Sequence, residues 1–412
     1  MNKKKIFNDP VYGFINIHSD LIFDIIQHRY FQRLRRIKQL GLTDFVYPGA
    51  LHTRFHHALG AMHLMSTALM NLRSKGHDIS EEEYEASLIA ILLHDIGHGP
   101  FSHTLEFSLL RKIHHEEISL RIFERLNEHF SGKLTLSIQI FTGTYQRNFL
   151  HQLVSSQLDV DRLDYLKRDS FFTGVQEGTI GADRILKMLD IQNDSIVVEE
   201  KGIYSIENFL SARRIMYWQV YLHKTSVSAE KMLIQTIKRA RELKQSGVDV
   251  PATPAFSFFL EKNITMEDFL KNPEILDLFV FLDDSDIWGS MKFWARHDDK
   301  VLSTLSLMLL NRNLFQIRLA GKKTDLPDRY DILDKIRSEM NLDEKEAKYF
   351  AGQGEITNEA YIRKGQRINI LTKKGKIIDV ASATDLHNIK AMSKVVKKYY
   401  LCWPKQVVIP DS

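Results

Sequence analysis

The chain contains little cysteine and no long apolar segment. It has 412 residues with a single Cys, which excludes a disulfide scaffold and a thiolate zinc module and is typical of a reducing compartment. Its longest apolar runs, such as residues 88–93, are far too short to span a membrane. No apolar segment of signal-peptide length follows the basic residues 1–5. We therefore expect a cytoplasmic protein with no membrane partner.

Charge and composition exclude the disordered and fibrous classes. The 56 Lys and Arg residues against 52 Asp and Glu residues give a net charge of +4, a weak indication of anionic partners that ordinary surface charge explains better. With 44% apolar and 26% charged residues, the chain is typical of a soluble globular protein. Because single cores stop growing at about 250–300 residues, the length favours two or more domains.

The hydrophobic pattern predicts a mainly α fold. Apolar residues at helical spacing predict helices at residues 21–40, 60–72, 81–94, 114–130, 149–166, 206–224 and 229–245. Hairpins are predicted over residues 195–204, turning at Lys201-Gly202, and over residues 367–380, turning at 373–376. Residues 283–286 are typical of a helix start. We expect a helical domain over residues 1–240 and a smaller α+β region over residues 241–412, which serves oligomerisation, binds an effector or caps the helical domain.

Several common catalytic signatures are absent, whereas histidine is abundant in one place. The chain has no GxxxxGK[ST] phosphate loop, no GxGxxG after a strand, no GxSxG elbow and no HExxH motif. Of its 17 histidines, ten lie between His52 and His115, far more than an even spread would place there. This clustering indicates a site.

The first group that carries chemistry is a set of imidazoles and carboxylates: His57, His94, Asp95 and Asp161. Such groups from separate helices can meet around one divalent ion, and mixed nitrogen and oxygen ligands suit Mg, Mn, Fe, Co, Ni or Zn. A single histidine of this kind is more often a hydrogen-bonded core residue. The whole set favours a metal site, because an apolar helix that ends in His94-Asp95 must compensate the burial of both.

A second group follows directly in the sequence: His98, His103, Glu106, His114, His115 and Glu116. Near a metal, these side chains suit general acid–base catalysis and the orientation of ligands. A histidine with a pKa near 6.5 can protonate a leaving oxygen, whereas a metal ion generates the nucleophile from water. Arg54 and Arg162 stand beside proposed ligands, and planar guanidinium groups there suit a polyphosphate.

Three segments carry a resemblance to a known family. They are Arg54-Phe55-His56-His57, the run His94-Asp95-Ile96-Gly97-His98-Gly99-Pro100-Phe101-Ser102-His103, and residues 159–169. Together they resemble the HD-domain phosphohydrolases, most closely the deoxynucleoside triphosphate (dNTP) triphosphohydrolases that carry a sterile-alpha-motif domain in animals. That extra domain has no counterpart here, and the resemblance covers roughly residues 5–240. It implies a helical HD-domain core.

The resemblance assigns a role to each candidate residue. It implies a metal held by His57, His94, Asp95 and Asp161. It implies a catalytic centre of His98, His103, Glu106 and His115, with His103 close to the scissile phosphate and Glu116 a further candidate. Phosphate contacts fall to Arg54, Arg162 and Arg213, and sugar contacts to Gln39 and Asp169. Leu40 and Tyr221 match a wall against the ribose 2′ position, and Tyr165 flanks the nucleotide; from the residues alone, Tyr221 reads as a core aromatic.

The resemblance also implies an assembled and regulated enzyme. Activated relatives form tetramers with guanine nucleotides at a regulatory site, so we expect a homo-oligomer, a dimer or a tetramer, with a nucleotide effector. Gln27 stands where the relatives carry an acidic residue, while Lys5, Gln32 and Arg35 keep the cationic and polar neighbours. A neutral amide cannot offer guanine a charged double acceptor. Activation by guanine is therefore expected to be absent or to pass to another base.

The leading hypothesis is metal-dependent hydrolysis of dNTPs to deoxynucleoside and inorganic triphosphate. The alternative is an HD phosphohydrolase that acts on other nucleotides, or as a phosphodiesterase or nuclease on single-stranded nucleic acid, which is a less favoured partner. A third hypothesis, a binding module with a vestigial site, conflicts with the complete ligand set.

Overall fold

Helices and their connections make up most of the chain, as predicted. The computed structural model describes residues 5–101, 108–110, 113–358, 361, 367–384 and 395–409. Its helices up to residue 250 are Asp20–Gln27, Arg29–Gln32, Arg54–Ser74, Glu81–Leu93, His115–His129, Thr135–Thr142, Asn148–Val154, Val160–Thr173, Ala182–Met188, Ile203–Met216 and Lys224–Gln245. Those that follow are Pro254–Glu261, Met266–Lys271, Pro273–Phe279, Asp284–Trp294, Lys300–Leu310, Arg329–Met340, Glu344–Ala347 and Val380–Ala383. Within these ranges every helix is too short or too polar to span a lipid bilayer.

The helix Arg54–Ser74 lies at the centre of the N-terminal half. It packs against the helices Glu81–Leu93 and Val160–Thr173. Residues 88–93 are buried on every side, which explains the unbroken apolar run there. Ser80 and Glu83 form a reciprocal cap at the start of this helix, and three acidic residues occupy its first turn. This packing brings the beginnings of two helices and the end of a third to one place.

Two predicted helices are wrong because each is interrupted. Residues 21–40 form the short helices Asp20–Gln27 and Arg29–Gln32 and a 3₁₀ turn at Arg33–Arg36, since His28 adopts an extended conformation. Residues 149–166 form two helices, and Asp159 begins the second by accepting a hydrogen bond from the Arg162 N–H at 2.7 Å. Helical periodicity continued across both breaks, so the pattern alone did not show them.

Residues 206–224 also depart from one regular helix. The α-helix Ile203–Met216 continues as a π-helical stretch, Tyr217–Tyr221, and a new helix begins at Lys224 after a cap by the His223 imidazole. π-Helical turns are frequent at functional sites because they rotate side chains away from the regular helical face. Here the turn carries Tyr217 and Tyr221.

The first predicted hairpin has its turn in the wrong place. Strands Leu189–Gln192 and Ser195–Glu199 pair through a turn at Asn193 and Asp194, both of which have positive φ. Asn and Asp tolerate that conformation, which two-residue hairpin turns require. Lys201-Gly202 instead lies in a 3₁₀ turn that leads into the next helix. The second hairpin is confirmed as Asn369–Leu371 and Ile377–Asp379.

Small sheets join distant parts of the chain. Ser195–Glu199 pairs in parallel with Asn369–Leu371, so the two hairpins form one four-stranded sheet. A second sheet orders its strands as Gln316–Ala320, Val396–Trp403 and Gly352–Asn358. The first sheet combines both predicted regions, and the division at residue 240 stays a prediction. The helix start predicted at residues 283–286 is confirmed, with Asp283 and Asp286 capping each other's backbone.

Arg241 provides a test of how the long helix Lys224–Gln245 holds the C-terminal part. Its buried guanidinium donates to the carbonyls of Ser108, Leu109 and Lys262 at 2.9–3.0 Å and to Asn263 Oδ1 at 2.7 Å. Arg241→Met removes these four hydrogen bonds of a buried guanidinium, and we expect the free energy of unfolding in urea to fall by at least about 3 kcal/mol. Lys238→Met, on the same helix but half exposed, should change it little. Equal stability of the two variants would contradict this interpretation.

Candidate metal centre and active site

The four predicted metal ligands converge at the ends of three helices. His57 Nε2 lies 3.0 Å from Asp161 Oδ1 and 3.8 Å from Asp95 Oδ2. His94 Nε2 lies 3.4 Å from the same Asp161 oxygen and 3.4 Å from Asp95 Oδ1. His57, His94 and Asp161 offer ligand atoms that are mutually close enough to hold one metal ion.

The orientation of both imidazoles is set by their other nitrogen. His57 Nδ1 pairs with Asp164 Oδ2 at 2.7 Å, and His94 Nδ1 pairs with the Ile91 carbonyl at 2.6 Å. A carbonyl can only accept, so His94 carries a proton on Nδ1, and Nε2 is the nitrogen that would coordinate a metal ion. Both Nε2 atoms are buried and face carboxylate oxygens of Asp161 and Asp95, 3.0–3.8 Å away. This arrangement is typical of metal-binding histidines.

The electrostatics of the site fit a bound cation. Burial lowers the pKa of His57, but the carboxylates of Asp161 and Asp164 outweigh burial and raise it to about 10. Burial raises the pKa of Asp161, but His57 and His94 outweigh burial and hold it well below its usual range. The carboxylates are therefore ionised and the site attracts positive charge. With nitrogen and oxygen donors only, the residues fit a divalent ion such as Mn, Fe, Co, Ni, Zn or Mg.

Behind His57 lies a buried chain of charges that the sequence reading missed. Asp164 accepts two hydrogen bonds from Arg168 at 3.0 Å, and Arg168 donates to Asp9 Oδ2 at 2.8 Å. Asp164 and Arg168 are fully buried. A Cβ at Gly60 would overlap atoms of both, so this helix position requires glycine. The i, i+4 spacing of Asp164 and Arg168 was the signal available in the sequence.

The loop after His94 is held from two directions. Ser119 Oγ donates to the His94 carbonyl and accepts from the Gly97 N–H, both at 2.9 Å. The buried Arg33 guanidinium donates to the carbonyls of Ile96 at 3.1 Å and His98 at 2.7 Å. Burial lowers the pKa of Arg33 to about 9. These contacts fix the direction in which Asp95 and His98 leave the helix.

A second group of side chains adjoins the ligands. Asp95, His98 and His115 also offer ligand atoms within reach of one another, and the rings of His98 and His115 stack at 3.7 Å. Burial, and then Arg54, lower the pKa of His98 to about 3. Glu116 is exposed, with its carboxylate 3.5 Å from His115 Nε2. The predicted catalytic residues His103 and Glu106 lie outside the described residues.

A cavity of about 460 Å³ opens from the ligands. Its walls include seven of the predicted substrate-binding residues, namely Gln39, Leu40, Arg54, Arg162, Tyr165, Asp169 and Tyr221. The walls also include Asp95, His98, His115 and Asp161, and residues that the sequence reading did not select, among them Thr43, Phe101, Tyr217, Leu222 and Glu230. Arg213 is buried, with its guanidinium 5.8 Å from the ring of Tyr217, which lines the cavity.

Polar contacts organise the end of the cavity away from the metal ligands. The Tyr221 hydroxyl donates to Asp169 Oδ2 at 2.8 Å, and His52 Nε2 pairs with Asp169 Oδ1 at 2.7 Å. His52 stacks on Phe172 with ring centroids 4.5 Å apart. Tyr221 is therefore a lining residue with a fixed hydroxyl, and His52, which had no assigned chemistry, positions its partner.

The residues compared with a regulatory site belong to the N-terminal segment that ends with the 3₁₀ turn Arg33–Arg36. Gln32 Oε1 accepts from Arg35 Nε at 3.0 Å, and the Arg35 guanidinium lies 3.6 Å from the Phe55 ring centre. The Lys5 ammonium lies 3.1 Å from the Phe23 ring centre. Gln27 is exposed at the end of its helix. Their role stays a prediction.

Comparison with known proteins agrees with this geometry. Residues 54–169 match the family model of the HD domain, and residues 180–251 match an HD-associated region. A solved phosphohydrolase from Bacteroides thetaiotaomicron is 53% identical, with a TM-score of 0.94 over 98% of this chain and 100% of that one. Uncharacterized protein YwfO of Bacillus subtilis is 31% identical over 422 residues, 99% of this chain and 94% of its own length.

A third relative carries a functional name. The Dictyostelium discoideum homolog of the deoxynucleoside triphosphate triphosphohydrolase SAMHD1 is 29% identical over 290 residues, which cover 66% of this chain and 56% of that protein. Fold, ligand geometry and relatives agree on a class of helical hydrolases with a His and Asp metal centre. The chain belongs to the HD-domain phosphohydrolase family.

Gly60 allows a test of the buried charges behind His57. In Gly60→Ala the new methyl group displaces Asp164 and Arg168, and we expect a loss of about 2 kcal/mol or more in unfolding free energy together with a lower metal content. Calorimetry and elemental analysis measure these two quantities.

The matched control is Gly289→Ala, because Gly289 also lies within a helix but its added Cβ would meet open space. This variant should be about 0.5–1 kcal/mol more stable than the wild type and keep its metal. A metal content in Gly60→Ala equal to that of Gly289→Ala would refute the role given to Asp164.

Proposed function

We propose that the chain hydrolyses dNTPs to a deoxynucleoside and inorganic triphosphate with the help of a divalent metal ion. The observation that carries the proposal is the continuity of the cavity. Its lining combines metal-ligand candidates and arginines with Gln39, Leu40 and the Tyr221–Asp169 pair. The metal-ligand candidates and arginines suit a phosphate chain, and Gln39, Leu40 and the Tyr221–Asp169 pair suit a deoxyribose.

Binding of the triphosphate would depend on positive charge. His57, His94, Asp95 and Asp161 would hold the ion, which when bound polarises a phosphate oxygen and activates water. Arg54 Nη1 lies 2.5 Å from Asp95 Oδ2 and lines the cavity beside it. Arg162 is steadied by its Nε hydrogen bond to the Ser156 carbonyl at 2.7 Å. Both guanidinium groups would bind oxygens of the triphosphate.

Arg213 adds an independent argument for an anionic substrate. Its Nε and Nη1 atoms are buried and have no hydrogen-bond partner among the described residues. A buried guanidinium without acceptors is costly, and a phosphate chain in the adjacent cavity would supply them. The neighbouring Tyr165 has a pKa that burial and Tyr217 raise, so its hydroxyl stays protonated and can donate to the same chain.

Binding of the deoxyribose would depend on the shape of the cavity and on the direction of its hydrogen-bond acceptors. Gln39 Oε1 is buried without a hydrogen-bond partner among the described residues and would accept from a sugar hydroxyl. The aromatic face of Tyr221 and the side chain of Leu40 would occupy the space that a 2′-hydroxyl needs. This wall would favour deoxynucleotides over ribonucleotides.

Proton transfer to the leaving 5′-oxygen is assigned to His103 on the strength of the family resemblance. His98 and His115 stack beside Asp95 and would orient the groups around the reacting phosphate. His103→Ala should therefore keep the metal and lose turnover, whereas a ligand variant should lose both.

The alternative is hydrolysis of other nucleotides or of phosphodiesters in single-stranded nucleic acid. One metal centre serves each substrate because the chemistry at phosphorus is shared. The products separate the hypotheses. Inorganic triphosphate from a dNTP supports the proposal, and nucleotide monophosphates from an oligonucleotide support the alternative.

Asp161 provides the direct test. Purified protein with Mn or Mg should release triphosphate from at least one dNTP, given alone or in mixtures, as detected by phosphorus NMR. Asp161→Ala should lose metal and turnover, because its oxygen contacts both histidines. Asp183→Ala, whose side chain is 78% exposed, should keep both. Full activity of Asp161→Ala at unchanged metal content would rule out the proposed centre.

A further inference from the structure

Residues 37–40 include the cavity-lining residues Gln39 and Leu40, and they are hydrogen-bonded to the start of the helix Arg54–Ser74, which carries His57. The Arg54 N–H donates to the Ile37 carbonyl, and the Gln39 N–H donates to the His52 carbonyl, both at 3.0 Å. This short ladder sets the wall beside Arg54. In this ladder the Lys38 N–H points away from residues 52–54 and the helix that follows them.

That opposite side is bound by the C-terminal part of the chain. The Lys38 N–H donates to Asp284 Oδ2 at 2.9 Å, and the Arg36 side chain forms an ion pair with Asp283. Asp283 and Asp284 stand at the start of the helix Asp284–Trp294, and both are largely buried. Burial raises the pKa of Asp284 to about 6, while the backbone N–H groups of Lys38 and Phe101 oppose the shift.

The same helix supports a second wall residue. The Trp288 ring contacts Phe101 and Phe45 edge to face, with centroids 6.0 and 6.2 Å apart. Phe101 lines the cavity in a left-handed backbone conformation with φ 51°, which a non-glycine residue adopts only when its surroundings hold it there. Trp288 and Asp284 thus act on the same stretch of the cavity from one turn of helix.

We propose that Asp284 and Trp288 are positioning residues that determine sugar specificity. Asp284 holds residues 37–40 through the Lys38 N–H, and Trp288 holds Phe101. Together they keep Gln39 and Leu40 at the distance at which a deoxyribose fits and a ribose does not. The C-terminal region therefore takes part in substrate selection without touching the substrate. This inference rests on the proposed dNTP hydrolysis.

The kinetic test uses the dNTP that the wild type hydrolyses fastest and its ribonucleotide counterpart. In Asp284→Ala, the ratio of kcat/KM for the two should fall about tenfold, the factor that corresponds to one lost hydrogen bond, mainly through a higher KM for the dNTP. Metal content should stay unchanged. Asp284→Asn keeps an acceptor for the Lys38 N–H and should stay within about threefold of the wild type.

The matched control is Asp286→Ala. Asp286 lies in the same helical turn and accepts hydrogen bonds from the Asp283 N–H and the Thr253 hydroxyl, whereas the Lys38 N–H is bound by Asp284. Asp286→Ala removes a carboxylate, as Asp284→Ala does, but it should leave the ratio of kcat/KM for the dNTP and the ribonucleotide unchanged. Trp288→Leu is the second variant, in case Asp284→Ala does not fold, and should lower the ratio as well. An unchanged ratio in Asp284→Ala or Trp288→Leu, or an equal fall in Asp286→Ala, would overturn the inference.

A measurement without substrate separates this inference from the proposed function. Amide hydrogen exchange of residues 37–40 should be faster in Asp284→Ala than in Asp286→Ala, because only the former loses the acceptor of the Lys38 N–H. A wild type that hydrolyses no dNTP would refute the proposed function. Equal exchange in both variants would refute the positioning role by itself.

Discussion

The site depends on the buried chain of charges formed by His57, Asp164, Arg168 and Asp9. Asp164 and Arg168 lie out of contact with water, so each must be paired, and removing one partner would leave the other charge uncompensated. The pair lies against Gly60, which is why the central helix carries no side chain there. Because Asp164 also holds His57 Nδ1, the requirement to satisfy a buried arginine fixes the direction of a metal ligand.

Hydrogen bonds that hold irregular backbone also explain how distant segments form one cavity. A helix start supplies Arg54, a helix end supplies Asp95, and a π-helical turn supplies Tyr221. None of these side chains projects regularly from the middle of a helix. Irregular backbone allows side chains to converge, but it must be held in place. Here Ser119, Arg33 and Asp284 hold it through hydrogen bonds to backbone atoms.

The structure brings the predicted metal candidates together, and the signal that singled them out in the sequence is chemical. Ionisable residues at the end of an apolar helix need compensation wherever the chain folds, so His94 and Asp95 stood out without coordinates. The mainly α fold followed from periodicity in the same way. The pattern did not predict the helix breaks at His28 and near Asp159 or the turn at Asn193-Asp194. Helix caps and residues with positive φ are local features, and the hydrophobic pattern continues across them. The positioning roles of Asp164 and Asp284 could not be predicted from the sequence, because their partners His57 and Lys38 lie far away along the chain.

The proposed substrate depends less on the metal centre than on the part of the cavity around Asp169. A nucleic-acid strand would bring a second phosphate to the 3′ side of the sugar. Because Asp169 is an expected sugar contact, that phosphate would lie near the Asp169 carboxylate. Two anions in a buried environment repel each other strongly. A free 3′-hydroxyl would instead donate to a lone pair that His52 and Tyr221 leave available on Asp169. The fixed carboxylate would thus favour single nucleotides over strands, and Arg54 and Arg162 would favour nucleotides that carry a phosphate chain, as the proposed function requires.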